Sequence, residues 1–455
     1  MASPKKLSCC KTLTSLKRVS QKIFDRWPLL SSFSFVACKT LTSVKKVSQK
    51  IFNRWPLLSS FSFVALILIF FADSIFSSNL SHQNAYTINE NIFLRTQKAI
   101  AKMQFSMQEK VDKLAMLDGE YEIDPMIPPK NVTKGKRIKW FQQKLPEFEI
   151  LSSTNLSKQF HGRVLEFLNN GCSIQFYMVW LSPARFFGTR DFLSIDTLFY
   201  AHPQGCLMII SRTMDSSRGY RILKPLLDRG FKVLAVTPDL PFLVKNTPAE
   251  AWLEELKSGK IDPGFIPLSQ NLCNLIRLTV LHKYGGVYLD TDMIVLRDFS
   301  ELKNSVGAQT IDPVSKRWLR LNGAVMVFDI HHPILLDFIE EFSSTFDGNS
   351  WGFNGPYLVS RVMKRVGGRR GYNMTVMRPE AFYPVNWSKI HRLFRKPERT
   401  AERRWVERTV NELTDEGGKT YAVHLWNKKS KGFKIEEGSV MERLILHHCV
   451  ICENI

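Results

Sequence analysis

Histidine and cysteine are both scarce in this chain of 455 residues, at ten and eight copies. A metal-dependent phosphodiesterase wants clustered His and Asp ligands, and only Asp290, Asp292 and His424 present themselves. Cys449-Val-Ile-Cys452, preceded by His447 and His448, reads as half a zinc site, a redox pair or a disulfide in the tail. No second pair lies nearby in sequence, so the disulfide is the economical reading. Acid is nearly absent from residues 1–56, which hold twelve Lys or Arg and one Asp and so +11 of the net charge of +21. The other 399 residues carry +10. A basic chain can bind nucleic acid, but this basic run stands directly before an apolar segment. Membrane topology explains it better, and no nucleic-acid partner is expected.

That segment, Leu57 to Ala72, has no charge until Asp73. As a helix it reaches about 24 Å, slightly short of a bilayer core of roughly 30 Å, and Ser74-Ile75-Phe76 extend it. Lys45, Lys46, Lys50 and Arg54 flank its start, so the N-terminus is expected in the cytosol. A cleaved signal peptide competes. The long basic leader and the lack of a clear small-residue cleavage site favour a single anchor over 57–76. Residues 10–37 recur as 38–65, with changes only at Leu16/Val44, Arg18/Lys46 and Asp25/Asn53. Two copies make no solenoid, and a local duplication explains them without a function. Asn-x-Ser/Thr triplets at Asn79, Asn131, Asn155, Asn373 and Asn386 all follow the anchor, in line with a lumenal domain. The five cysteines on that side, Cys172, Cys206, Cys273, Cys449 and Cys452, cannot all pair within one chain. Residues 77–165, with a helix over Leu94 to Leu117, read as a stem, and 166–455 as the folded domain.

From Ile174 onward compact apolar runs alternate with helical patterns. Strands are expected over Ile174 to Trp180, Cys206 to Ser211, Lys232 to Val236, Gly286 to Leu289 and Val325 to Asp329. Helices are expected over Asp191 to Ala201, Ser217 to Asp228, Leu272 to Tyr284 and 331–346. Such alternation signals an α/β fold with a mostly parallel sheet flanked by helices. In such folds ligands gather at the carboxyl ends of strands, where Asp290 and Asp292 fall. A period of two sends both carboxylates to one side of the strand. Paired carboxylates suit a divalent ion that already holds phosphate oxygens; an acidic turn after a core strand is the plain alternative.

Several blocks carry a specific resemblance. They are Phe187-Gly188-Thr189-Arg190 with Ser194 and Asp196, Cys206 to Ser211, Asn271 to Asp292, Arg320-Leu321-Asn322-Gly323-Ala324, Trp351-Gly352-Phe353-Asn354-Gly355-Pro356 and His424-Leu425-Trp426-Asn427. In this order, over residues 174 to 430, the chain resembles glycosyltransferases of family 32, in particular plant members related to α-1,4-galactosyltransferase. The resemblance implies a GT-A nucleotide-sugar-binding fold with a Rossmann-like sheet. It also implies a type II Golgi membrane protein that transfers a hexose with retention from a nucleotide-sugar, UDP-galactose or another UDP-sugar, to a glycan or glycolipid. Mn²⁺ is the implied ion, with Mg²⁺ second. Asp292 would hold it directly, Asp290 would reach the ribose or the metal through water, and His424 is a third ligand or a core histidine. Arg277 suits a phosphate, a donor-sugar carboxylate or a structural salt bridge to the aspartates. Ser211, Asn274, Asn322, Gly323 and Asn354 fall on the donor side by the same resemblance. Asn322 would bond sugar hydroxyls, and Gly323 would permit close backbone approach. Asn354-Gly355-Pro356 is an acceptor-side loop or an ordinary turn. Asn274 departs from the acidic residue many members carry there, which puts charge-dependent roles in doubt. Front-face transfer is expected. A covalent route needs a carboxylate beneath the sugar, for which Asp329 and Glu340–Glu341 are available, with Asp347 a base or a loop cap. An α-mannosyltransferase using GDP-mannose and a degenerate sugar-binding scaffold are the other readings. Oligomeric state is left open.

Overall fold

The computed structural model describes residues 127–415 and 417–452. The basic tail, its repeat, the apolar segment, the helix expected over Leu94 to Leu117 and Asn79 lie outside the described residues. Among the described residues no helix is long and apolar enough to cross a membrane.

Among the described residues nine strands organise the domain: β1 Gln175–Val179, β2 Cys206–Ile210, β3 Lys232–Val236, β4 Gly286–Leu289, β5 Met293–Val295, β6 Ser305–Ile311, β7 Trp318–Phe328, β8 Thr375–Met377 and β9 Ala422–His424. Seven form one sheet in the order β3-β2-β1-β4-β7-β6-β8, and β5 pairs with β9 in a second. β3, β2, β1 and β4 are parallel, β7 is antiparallel to both β4 and β6, and β8 is parallel to β6. β7 alone runs against the rest, so the expectation of a mostly parallel α/β sheet holds. Strand β2, Cys-Leu-Met-Ile-Ile, is buried throughout, as a strand covered on both faces must be. The two-residue period sorts its side chains. Tyr177, Val179, Met208 and Ile210 join the cluster under helix Leu268–Tyr284, while Phe176, Met178, Leu207 and Ile209 join the one under helices Thr189–Ala201 and Ser217–Asp228.

Helix Leu268–Tyr284 ends in Gly285 and Gly286, at φ +65° and +97°. A Cβ on Gly285 would lie 2.7 Å from the Ile330 nitrogen, and one on Gly286 2.8 Å from the Gln175 oxygen. Two glycines are therefore required to bring the chain from this helix straight into β4.

Three expectations change. Residues 134–165, assigned to the stem, pack onto the domain. Phe141, Phe148, Phe160 and Val164 enter its core, and buried Arg137 pairs with Asp262 at 2.5 Å. β7 begins seven residues before Val325. Asp290 and Asp292 lie in the turn between β4 and β5 rather than within a strand. Among the described residues the cysteines pair as Cys172–Cys206 and Cys449–Cys452, leaving Cys273 free. The tail pair is thus a disulfide and not a zinc half-site. Asn131, Asn155, Asn373 and Asn386 are all exposed.

Candidate active site

The parallel strands end together, and the turn 290–292 leaves the sheet at that edge. The second, two-stranded ladder then completes the site: β5 pairs antiparallel with β9, Met293 opposite His424. The Leu425 N–H donates to the Asp292 carbonyl at 2.8 Å. That register sets the His424 ring against the Asp292 side chain, Nε2 to Oδ1 3.3 Å. Trp426 then takes a left-handed conformation, φ 55° and ψ 52°. This costs about 1 kcal/mol or more for a bulky residue and aims the Asn427 N–H at Asp292 Oδ2, 2.8 Å away. The pair converges through a turn and a partner strand, not through the pleat of one strand.

One ligand atom each from Asp290, Asp292 and His424 lie within 4.8 Å of one another, the one such cluster of three among the described residues. Two carboxylates and an imidazole form a donor set that suits Mn²⁺ or Mg²⁺ completed by phosphate and water oxygens. His424 Nδ1 is buried without a partner, and its ring stands edge-on to Trp426 at 4.2 Å. Burial disfavours charge on both Asp292 and His424, yet their pairing prevails. The histidine charge and the Asn427 N–H hold the Asp292 carboxyl below its ordinary range. Asp292, with Asp290 behind it, holds the imidazole above its own.

Asp290 is fixed from the other side. Arg277, buried in helix Leu268–Tyr284, donates through Nη2 to Asp290 Oδ1 at 3.0 Å and through Nη1 to the Gly323 carbonyl at 2.6 Å. Its guanidinium lies 4.4 Å from the Tyr288 ring centroid, and the Tyr288 hydroxyl donates to the same Oδ1 at 2.7 Å. The structural salt bridge considered for Arg277 is thus present. Asn274 is buried one helical turn away, its Oδ1 2.9 Å from where a Cβ on Gly355 would stand. It lines a narrow crevice with Arg277, Gly323, Asn354 and Gly355. A Cβ on Gly323 would meet Arg277 Nη1 at 3.4 Å and Met326 Sδ at 3.2 Å, so close packing against the arginine accounts for this glycine.

Other expected site residues are engaged within the protein. The Ser211 hydroxyl, fully buried at the end of β2, accepts from the Met214 N–H at 3.0 Å. Asn322 Oδ1 accepts from the Ala324 N–H at 3.0 Å, and its amide donates to Gln309 at 3.2 Å. Asn354 binds Asn271 Oδ1 and the Asp347 carbonyl and accepts from the Asp347 N–H, which makes it the fastener of a turn onto helix Leu268–Tyr284. Asp347 caps its loop through the Asn349 N–H and the Ser350 hydroxyl. Asp329 sits beyond the end of β7, beside the start of β4 and so at the opposite edge of the sheet. Both Glu341 oxygens are taken by Arg361 and Arg365. Neither Asp329 nor Glu341 belongs to the Asp290–Asp292–His424 cluster.

Sequence reading missed Asp191 and Tyr288. Asp191 Oδ2 accepts from the Gly188 N–H at 3.0 Å, and its Oδ1 accepts from Thr291, between the two aspartates, at 3.2 Å. Burial, reinforced by the Asp292 charge, raises its carboxyl above the usual range against these hydrogen bonds. Gly188 followed by Asp191 is a helix-start pattern that signals the carboxylate. Tyr288 stands two residues before Asp290 and so on its side of the chain.

With this geometry in hand, relatives define the family. Residues 188–311 match the glycosyltransferase sugar-binding region containing the DXD motif, and residues 327–455 match the alpha 1,4-glycosyltransferase conserved region. The lactosylceramide 4-alpha-galactosyltransferase of Mus musculus is 31% identical over 268 residues, 56% of this chain and 68% of that protein. This chain belongs to the DXD-containing α-1,4-glycosyltransferase family. An uncharacterized protein of Arabidopsis thaliana is 30% identical over 298 residues, 64% of this chain but only 44% of that longer protein. The alpha-1,4-N-acetylglucosaminyltransferase of Homo sapiens is 27% identical over 223 residues, 46% of this chain and 58% of that one. Within residues 188–311 the one Asp-x-Asp is Asp290-Thr291-Asp292, which is therefore the DXD of the family.

Proposed function

We propose that the chain is a retaining hexosyltransferase that takes a sugar from a UDP-sugar, UDP-galactose first among them, and passes it to a hydroxyl of a glycolipid or glycan. The convergence of Asp290, Asp292 and His424 carries this reading. Asp292 and His424 would hold a divalent cation, Mn²⁺ or Mg²⁺, with Asp290 beside them. When bound, such an ion supplies positive charge that offsets charge growing on the departing diphosphate. Arg277 and Tyr288 orient Asp290, and the Asn427 N–H and the β5–β9 ladder orient Asp292. Asp191 holds Thr291 between them. Asp329 lies at the opposite edge of the sheet and Glu341 is paired with two arginines, which supports front-face departure and attack, with the leaving phosphate accepting the acceptor's proton. The basic leader and apolar segment support a type II anchor in the Golgi, and the exposed sequons fit a lumenal domain.

The test is Mn²⁺-dependent nucleotide release by the purified chain from UDP-galactose, UDP-glucose, UDP-N-acetylglucosamine and GDP-mannose. One UDP-sugar is expected to dominate, and Asp292→Asn is expected to lower its turnover by about a hundredfold or more, since each 1.4 kcal/mol is a factor of ten. Turnover unchanged by Asp292→Asn refutes the assignment; preference for GDP-mannose refutes the donor.

A further inference from the structure

An open groove of about 380 Å³ runs beside the start of β7, lined by Leu319, Arg320, Phe353, Tyr357, Arg361 and Lys364 among others. That volume lies within the range of ligand sites, roughly 300–1,000 Å³. Its walls alternate cations with rings. Arg320 lies 4.5 Å from the Tyr357 ring centroid, Arg361 4.0 Å from that of Phe353, and Lys364 5.9 Å from that of Trp318. The cations are not equivalent. Arg361 is bound to Glu341 at 2.7 Å and to the Phe353 carbonyl at 3.1 Å, and so serves the fold. Arg320 and Lys364 form no ion pair with a carboxylate among the described residues. Leu319 and Tyr357 keep 53% and 39% of their surface exposed, so apolar faces remain available beside these two charges.

The groove also has a definite place relative to the reaction centre. Arg320 precedes Gly323 by three residues on one strand, about 10 Å at 3.3 Å per residue, and the Gly323 carbonyl is held by the same Arg277 that fixes Asp290. The groove and the Asp290 side of the cluster are therefore joined through one strand and one arginine.

We propose that this groove binds a carboxylate-bearing sugar of the acceptor, with Arg320 and Lys364 holding the carboxylate and Tyr357 and Phe353 packing against the sugar's apolar face. A guanidinium fork matches a carboxylate in two parallel hydrogen bonds, and a flexible ammonium on the facing helix adds a second positive contact. The inference rests on the glycosyltransferase reading above and deepens it by naming the acceptor class as acidic rather than neutral.

The test is direct binding, which needs no turnover. The full chain in detergent at low salt is titrated with a glucuronic-acid-terminated trisaccharide and with its carboxyl-reduced counterpart. The acidic probe is expected to bind about tenfold tighter or more. In Arg320→Ala/Lys364→Ala that preference is expected to vanish, while binding of UDP with Mn²⁺ and the unfolding temperature stay as in the wild type. Should the double variant fold poorly, the single Lys364→Gln change on the exposed helix face is expected to give a partial loss. Equal binding of the two probes by the wild type, or a preference that survives in the variants, overturns the proposal. So does variant-sensitive binding to phosphatidylserine vesicles without discrimination between the sugars, which would make the groove a membrane-facing surface. Failure to bind UDP with Mn²⁺ would count against the metal cluster instead, so the two readings fail separately.

Discussion

Replacing Arg277 by Met keeps most of the side chain's bulk and removes both forks of its guanidinium. Asp290 then loses its cation at 3.0 Å and the Gly323 carbonyl its donor at 2.6 Å, both in a part-buried or buried setting. Removing one partner of a buried ion pair costs about 3–5 kcal/mol. Here the lower end applies, because the Asp290 side chain is 28% exposed and keeps the Tyr288 hydroxyl at 2.7 Å. A loss of about 3 kcal/mol corresponds to a fall of roughly 6 °C in unfolding temperature, at about 2 °C per kcal/mol for a domain of this size. Arg277→Lys retains charge but cannot serve both acceptors in the same planar geometry, so about 1–2 kcal/mol is expected. Because Arg277 acts by holding Asp290, donor turnover should also fall about tenfold or more in Arg277→Met. Thermal unfolding and Mn²⁺-dependent UDP release on the same preparation read both effects. An Arg277→Met protein with wild-type unfolding temperature and turnover would refute the claim that this arginine organises the site.

Other consequences are as specific. Burial holds His202 down to about 4, and its Nε2 accepts from the Phe299 N–H at 3.3 Å. The folded pKa lies below the unfolded one, so stability is intact above about pH 6.5 and falls toward pH 4, by about 3 kcal/mol at 1.4 kcal/mol per unit. His202→Gln should flatten that acid limb in a pH series of unfolding temperatures, and an unchanged slope would refute the assignment. Asp196, fully buried, accepts the N–H groups of Val450, Ile451 and Cys452 at 2.9, 2.8 and 3.1 Å. Asp196→Ala should cost about 3 kcal/mol or more and expose the C-terminal segment to limited proteolysis; equal protease resistance would contradict this. Gly264 has φ +82°, and a Cβ there would overlap the Gly348 carbonyl carbon at 1.9 Å. Gly264→Ala should therefore destabilise by more than about 3 kcal/mol, whereas a change below about 1 kcal/mol in denaturant unfolding would show that the two loops part easily. Burial pushes the Cys273 thiol up to about 12, so a thiol reagent at pH 8 should label the native protein far more slowly than the unfolded one; equal rates would contradict this.

Much of the parallel core was legible because its strands are short apolar runs separated by amphipathic helices. Lys232–Val236, Ser217–Asp228 and Gly286–Leu289 have the bounds read from sequence. β6 and most of β7 were not legible. Polar and charged residues such as Gln309, Thr310, Arg320 and Asn322 interrupt them, and bulges between Val306 and Ile311 break the two-residue period. The boundary at 165 was misplaced because Lys134–Lys144 is so basic that its buried residues, Arg137 and Phe141, do not stand out. At the site, Asp290, Asp292 and His424 were legible as residue types in a matching block order, but their convergence depends on β5 meeting β9. That pairing joins positions about 130 apart with three residues a side, which no local period reports. Nor can sequence report which polar residues are bonded within the chain, as the Ser211 hydroxyl is to the Met214 N–H and Asn354 is to Asp347 and Asn271.

Titration of Mn²⁺ into the purified chain with UDP present, followed by the loss of free-ion electron spin resonance, tests the central claim most directly. One ion per chain is expected to bind in the wild type, with binding abolished by Asp292→Asn and weakened by His424→Ala. Stoichiometric binding that persists in both variants would place the ion elsewhere and contradict the account.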